Sequence, residues 1–418
     1  MRWGNKIVAH QQNDEHVTLT IHTPEGEYQH ISHWVVAADG GRSPIREGMK
    51  LRMEGASYEG RFVIADIRIK LDYPTERLAF FSPDWNPGNT ILMHREPDNI
   101  WRFDYQLDPK IAPEDALKPE NLNKAVNDQL KMIGQDHLEW EMDWSTVYSA
   151  RALTLDNYVH NRTIFVGDAA HLLPIFGVRG ANTGFQDAQD LAWKLAAVVK
   201  GWSTEKLLQS YSFDRVGAAR EIIAEAGKST RFMAPPTAGY RLLRNAVLSL
   251  SLEHEFVRPL YHWRTSRPHA YTHSPLNSQN DDNALMHELT ENGALIPNIK
   301  FADGSFLYDA ISGKFSVIMF TQNGQVPENL ISEINALKQF GIPAQLIALA
   351  IDDQKVKQAD ISFTIDPNIV KDCFFADVNT IYLVRPGQHI NGRWLNYREN
   401  AITETFHQFT QVAEGVNA

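Results

Sequence analysis

Ile164-Phe165-Val166-Gly167-Asp168-Ala169-Ala170-His171-Leu172-Leu173-Pro174 is the stretch on which the fold turns. It opens with an unbroken apolar run that stops abruptly at Gly167-Asp168. An earlier run, Trp34-Val35-Val36-Ala37-Ala38, stops the same way at Asp39-Gly40-Gly41. Runs of this kind suit strands covered on both faces, as in a parallel sheet, although buried sandwich strands read alike. In an open α/β sheet Asp168 would sit at a strand's carboxyl end, where ligands bind. A carboxylate there can accept hydrogen bonds from ribose or ribityl hydroxyls.

Beyond Pro174 the chain runs through Ile175-Phe176-Gly177-Val178-Arg179-Gly180-Ala181-Asn182 into a helical pattern. Phe185, Ala188, Leu191, Ala192, Leu195 and Val198 recur at spacings of three and four, and Thr183 with Gln186 predicts a capping box. Glycines at 177, 180 and 184 permit close backbone approach, and a helix start offers N–H groups to an electron-rich ligand. A glycine-rich strand-to-helix turn without a ligand has the same signature. Asp39-Gly40-Gly41-Arg42-Ser43-Pro44-Ile45-Arg46 is a second candidate. Its arginines could grip a dinucleotide phosphate by paired hydrogen bonds, or the segment is simply a charged turn.

Working outward, Val17, Leu19 and Ile21 alternate with polar residues, and Pro24-Glu25-Gly26 leads to a second strand from Tyr28: a hairpin. Residues 62–148 hold short alternating segments, such as Ile100-Trp101-Arg102-Phe103-Asp104-Tyr105, which predict a mostly antiparallel sheet. Residues 268–283 are rich in Pro, Ser, Asn, Asp and His and read as a linker. Beyond it, strand-like runs at Phe315–Thr321, Gln345–Ile351 and Thr380–Val384 surround a helix with Leu330, Ile331, Ile334 and Leu337 on one face.

The 418 residues are 43% hydrophobic and 22% charged, which excludes a disordered tail, a collagen-like repeat and a disulfide scaffold. A net charge of −11 without a like-charged block argues against nucleic acid or an anionic membrane as the main partner. No window approaches a membrane span; Leu242–Leu252 is short and carries Arg244. With no signal-peptide pattern and one cysteine, Cys373, a cytoplasmic protein is expected. Cys373 reads as a buried small hydrophobe. The pairs His30/His33 and His269/His273 lack a matching third ligand, so no metal site is expected.

The D-G-x-x-S-x-x-R motif after a Val-Val-x-A strand, followed by F-V-G-D-A-A-H-x-x-P, resembles the single-component FAD-dependent aromatic hydroxylases. The similarity is greatest to the group containing 3-(3-hydroxyphenyl)propionate and phenol hydroxylases. Gly184-Phe185-Gln186-Asp187-Ala188-Gln189-Asp190-Leu191-Ala192-Trp193-Lys194-Leu195, Ser210-Tyr211 through Arg215, and Ser229-Thr230-Arg231-Phe232 are also similar to that group.

The resemblance implies FAD, with NAD(P)H as co-substrate, and O₂-dependent oxygen transfer to a small aromatic ring. Asp168, beside Gly167, would hold the ribityl chain. Pro174, Gly177, Gly180, Ala181 and Asn182 would lie along the loop and helix start at the isoalloxazine ring. Asp39, Arg42 and Arg46 belong to the motif associated with FAD and NAD(P)H. Many members have Pro-Pro where this chain has Pro174-Ile175. His171 is implied to be local architecture, not a general base.

The implied architecture is α/β, or α+β multidomain. An incomplete Rossmann-like FAD-binding domain (1–60 and 149–235) carries an inserted antiparallel substrate sheet (61–148). A helical connector and linker (236–283) and a thioredoxin-like domain without C-x-x-C (284–418) follow. Where the C-x-x-C would stand, the chain has Thr321-Gln322-Asn323-Gly324. No G-x-G-x-x-G occurs in the 418 residues, so the pyrophosphate cradle and at least one βαβ unit are expected to be missing. Either the sequence is a fragment or has a mis-called start, or the natural protein has lost its nucleotide cradle; inactivity is the expectation for the truncated chain. A non-catalytic flavoprotein remnant and a related flavin reductase or halogenase are the alternatives, and a homo-oligomer stays open.

Overall fold

The computed structural model describes residues 1–174, 179–260, 268–311, 313–351 and 355–408. Strands β1 (Lys6–Gln12), β2 (Val17–Thr23) and β3 (Gly26–Ser32) form an antiparallel meander. Val17 and Leu19 of β2 are buried, and the two-residue Pro24-Glu25 turn brings Thr23 opposite Gly26. The hairpin is as the alternation predicts.

β4 (Val35–Ala37) then leads into the short helix α1 (Pro44–Gly48). Four long or medium strands follow: β5 (Glu54–Ile69), β6 (Leu78–Phe81), β7 (Thr90–Arg95) and β8 (Ile100–Leu107). After helices α2 (Pro113–Ala116) and α3 (Pro119–Met132) come β9 (Trp140–Thr154), β10 (Val159–His160), β11 (Thr163–Phe165) and β12 (His171–Leu172).

The second sheet has the order β10-β11-β4, with β4 and β11 parallel. All three residues of β11 are buried. β4 departs from the expected two-sided cover: Val35 and Ala37 point inward, but Val36 is 43% exposed. Only one face of β4 meets the core, through Val35 and Ala37.

The third sheet, ordered β12-β9-β5-β8-β7-β6, is antiparallel throughout. Side chains alternate across it. Val63, Ala65, Ile67, Trp101, Phe103 and Tyr105 pack against Leu122, Val126 and Leu130 of α3. The opposite face carries Ile64, Asp66, Arg102, Asp104 and Tyr148, placed in neighbouring rows by the register.

Helices α4 (Gly180–Val199), α5 (Lys206–Met233) and α6 (Ala238–Leu250) come next. α4 begins ahead of the expected capping box: its N-cap is Arg179, and Thr183 lies buried inside the first turn. Its inward face only partly matches the apolar one: Leu191 is in the core with Leu195 and Val198 packed against it, but Phe185, Ala188 and Ala192 face solvent. Thr183, Asp187, Asp190, Leu191, Lys194 and Ala197 are buried, whereas Phe185 is 73% exposed.

The C-terminal unit has a sheet ordered β15-β14-β13-β16-β17. It contains α7 (Leu307–Ile311), β13 (Phe315–Thr321), α8 (Glu328–Gln339), β14 (Ala344–Ala350), β15 (Ile361–Thr364), α9 (Pro367–Asp372), β16 (Ile381–Val384), β17 (Ile390–Trp394) and α10 (Ala401–His407). β13, β14 and β15 are parallel, and β16 and β17 antiparallel. Leu330, Ile334 and Leu337 of α8 enter a core with Phe315, Leu346 and Trp394.

Two expectations are corrected here. Residues 268–283 are not a solvated linker: Tyr271, Ser274, Leu276 and Asn277 are buried, and Leu276 belongs to the core that joins α4 and α5 to the C-terminal sheet. The polar side chains of this strap bond to buried backbone and charged groups; Asn277 Nδ2, for example, donates to the Tyr271 carbonyl at 2.8 Å. Cys373, expected to be buried, is exposed at the end of α9, because Val370 and Phe374 take the inward positions. Among the described residues no helix is long and apolar enough to cross a membrane.

Candidate functional site

The carboxyl ends of the parallel pair β4 and β11 carry the two glycine-aspartate turns, and both are fixed from beneath. In the first, Asp39 Oδ2 accepts from the Ile45 amide (3.1 Å), and Ser43 Oγ accepts from the Arg46 amide (2.9 Å), capping α1. Buried Arg46 donates to the Ala169 carbonyl (2.9 Å) and the Gly41 carbonyl (2.7 Å). Asp39 and Arg46 are therefore engaged within the protein, and Arg46 ties one turn to the other.

In the second turn Gly167 has φ +57°, a conformation that favours glycine, and its amide donates to Asp187 Oδ2 at 2.8 Å. Asp187 is fully buried and also accepts from His171 Nε2 (2.8 Å) and Arg215 Nε (2.6 Å). Burial pushes its carboxyl up, but the His171 hydrogen bond and the Arg215 charge outweigh that and hold it below the usual carboxylate range. His171 thus anchors the turn from below, as expected, and Asp168 is left exposed above it.

Above these turns lies a cavity of about 660 Å³. Asp168, Arg42, Pro174 and the start of α4 (Gly180, Ala181, Asn182) border one side. The polar face of the antiparallel sheet borders the other, with Ile64, His94, Arg102, Asp104, Tyr148 and Arg151. Gly167 lies directly beneath; Gly177 and Ile175 lie outside the described residues. Six of the ten residues expected at a cofactor therefore converge on one cavity.

The sheet wall was not anticipated as a site. Arg102 makes a two-pronged ion pair with Asp66, Nε and Nη2 each at 2.7 Å, which raises its pKa. Glu96 lies 3.4 Å from Arg102 and 3.3 Å from His94. Asp104, 4% exposed, has a carboxylate oxygen with no hydrogen-bond partner among the described residues. Burial pushes its carboxyl up to about 6, against the pull of Arg102 and Arg77. Tyr148 donates to the Leu173 carbonyl at 3.1 Å, and burial, then the Asp168 charge, raises its phenol. The signal for this wall was the Arg-x-Asp-x-Gln alternation of β8, which in a one-sided sheet ordinarily faces water.

A model of the FAD binding domain matches residues 1–226, more than half of the chain. The chain belongs to the FAD binding domain family. Similar curated proteins include the 3-(3-hydroxy-phenyl)propionate/3-hydroxycinnamic acid hydroxylase of Burkholderia cenocepacia, 29% identical over 253 residues. That alignment covers 60% of this chain and 45% of the relative. The protein of the same description from Escherichia coli K12 is 29% identical over 247 residues, 59% of this chain and 43% of its own. The chain thus spans less than half the length of the curated relatives it matches.

Two solved structures share the fold across 97% of this chain. Aklavinone-11 hydroxylase with FAD and aklavinone has a TM-score of 0.75 at 20% identity, covering 73% of that chain. The flavin-dependent monooxygenase PieE with FAD and substrate has a TM-score of 0.75 at 17% identity, covering 76%.

The residues around this cavity fit one part of the family's FAD. Asp168 offers an acceptor to ribityl hydroxyls, the start of α4 brings the positive end of a 20-residue helix to the cavity, and Arg42 adds a cation. A Cβ on Gly184 would approach the Gly167 Cα to 3.5 Å, so small residues at both positions keep helix and turn close. The sequence carries no G-x-G-x-x-G for the pyrophosphate.

Proposed function

We propose that this chain forms the ring-binding and substrate-binding part of an FAD-dependent, NAD(P)H-using monooxygenase that hydroxylates a phenolic aromatic compound. One observation carries the reading: a single cavity has an Asp168–α4 side suited to flavin and a sheet side suited to a polar aromatic ligand. When bound, FAD supplies the redox chemistry that joins NAD(P)H oxidation to oxygen transfer from O₂. Asp168 would hold the ribityl chain, and the first turn of α4 would face the electron-rich edge of the ring. Ile64 and Leu173 provide apolar surface for the aromatic ligand and exclude water, while Arg102, Asp104 and Tyr148 orient its polar groups.

The C-terminal unit fits this reading as a thioredoxin-like scaffold without redox function. β13 is followed by Thr321-Gln322-Asn323-Gly324 in place of a dithiol, and Cys373 is the chain's one thiol. A reducing, cytoplasmic setting suits that composition.

Riboflavin tests the ring and ribityl site without the pyrophosphate. Asp168→Ala is expected to weaken riboflavin binding, read from flavin fluorescence, by about 10- to 150-fold, the equivalent of one charge-assisted hydrogen bond. Equal titration curves for variant and parent would remove Asp168 from the flavin site. Aromatic-stimulated NAD(P)H oxidation in the presence of added FAD tests the activity; no stimulation by any phenol would count against the hydroxylase reading.

A further inference from the structure

The sheet wall of the cavity contains a group that the family match does not assign. Asp104 stands in the middle of that wall, opposite Leu92 on one neighbouring strand and Ile64 on the other. It is nearly inaccessible, yet among the described residues it has no ion pair of its own, because Arg102 is taken by Asp66, and its Oδ1 has no hydrogen-bond partner. A buried carboxylate oxygen left unpaired is destabilising, so a structural role does not explain it. What the site lacks is a donor, and the cavity is where one can enter.

We propose that Asp104 is the acceptor for the hydroxyl proton of a phenolic ligand bound in this cavity. The inference rests on the reading of the cavity as an aromatic substrate site. The phenol O–H bond breaks and a bond from that hydrogen to the Asp104 carboxylate forms. The electron pair stays on the phenol oxygen, activating the ring, and the single negative charge is conserved, so no further reactant is required.

The surroundings suit that exchange. Arg102 and Arg77 oppose the charge from one side, and Asp66 and Glu96 balance them, while Tyr148 is engaged with the Leu173 carbonyl. His94 is held below the ordinary imidazole range by burial, then by the Arg77 charge. A carboxyl near 6 facing a phenol that ordinarily ionises near 10 keeps the proton on the ligand at rest. It is then positioned to take the proton as the ring reacts.

The test is binding of phenol and of its methyl ether, anisole, to the flavin-free chain, read by calorimetry. Phenol affinity in the parent is expected to fall about tenfold per pH unit below about 6, as Asp104 protonates, while anisole affinity stays flat. Asp104→Asn is expected to lose about 10- to 150-fold for phenol, with a flattened pH profile, and almost nothing for anisole. Equal losses for both ligands, or a parent pH profile identical for phenol and anisole, would overturn the assignment; the second comparison needs no variant. If the parent binds neither ligand, the aromatic-site reading falls together with this one. If both bind alike, only Asp104 is removed.

Discussion

Asp187→Ala is expected to destabilise the protein by about 3–5 kcal/mol, the usual effect of leaving a buried charge without its partner. Among the described residues Asp187 is the one carboxylate bonded to Arg215, which is 1% exposed; the guanidinium's other contacts there are Tyr271, the Thr183 carbonyl and Gln186. The same substitution releases the Gly167 amide and His171, and with them the turn that presents Asp168. A domain's whole stability is about 5–15 kcal/mol, so this loss is a large fraction of it.

Urea denaturation measures this. A loss below about 1 kcal/mol would show that Arg215 is satisfied without the carboxylate. The pH sign follows from the depressed pKa of Asp187. Its contribution is fully present above the unfolded carboxylate value, about 4, and is lost as pH falls through the lower folded value. The acid limb of the parent's stability curve should therefore be shallower in Asp187→Ala by the contribution of this one carboxylate.

The asymmetry between what the sequence reveals and what it hides is visible in α4. Periodicity located the helix, but it selected the apolar side, and Phe185 and Ala192 on that side face solvent. The buried side carries Asp187, Asp190 and Lys194, which no hydropathy pattern would place inside. Beside the Asp190–Lys194 pair within the helix, they are tolerated because Arg215 meets Asp187 and Asp214 meets Lys194, both remote in sequence. Pairing across such distances has no local signature.

The strap at 268–283 was misread for the same reason: polar composition predicts solvation unless partners are known, and here the partners are the Asp214 and Arg215 side chains. By contrast, the antiparallel sheet and the hairpin were legible from alternation alone, since those patterns are set by each strand's own geometry. The gathering of Asp168, Arg42 and the start of α4 at one cavity was legible through their motifs. The sheet side was not, because Arg102 and Asp104 look like solvent-facing residues until the turn at Asp168 is placed over them.

Asp214→Ala is expected to have a comparable effect, about 3–5 kcal/mol, and to act on the junction with the C-terminal sheet. Asp214, 2% exposed, accepts from Lys194 Nζ (3.3 Å), Arg385 Nη1 (3.3 Å) and Ser274 Oγ (3.1 Å), thereby joining α4, the segment after β16 and the buried strap. Lys194 retains Asp190 at 2.7 Å when Asp214 is removed. Arg385, fully buried, retains only Ser274 and its position over the Tyr271 ring at 5.3 Å, neither of which neutralises it. The stranded charge is thus that of Arg385, and this predicts the sign of the double variant. Asp214→Ala with Arg385→Met should be more stable than Asp214→Ala alone, because the second change removes the uncompensated charge and leaves an apolar chain in its place. Additive losses would show that the two residues are independent. The apolar contacts at this junction, Leu276, Ala197 and Leu207 against Phe315 and Leu346, imply that the parent unfolds across it in one transition. In Asp214→Ala the C-terminal sheet is expected to separate as an earlier step in a calorimetric scan, since the ion pair that joins it to α4 and α5 is then gone.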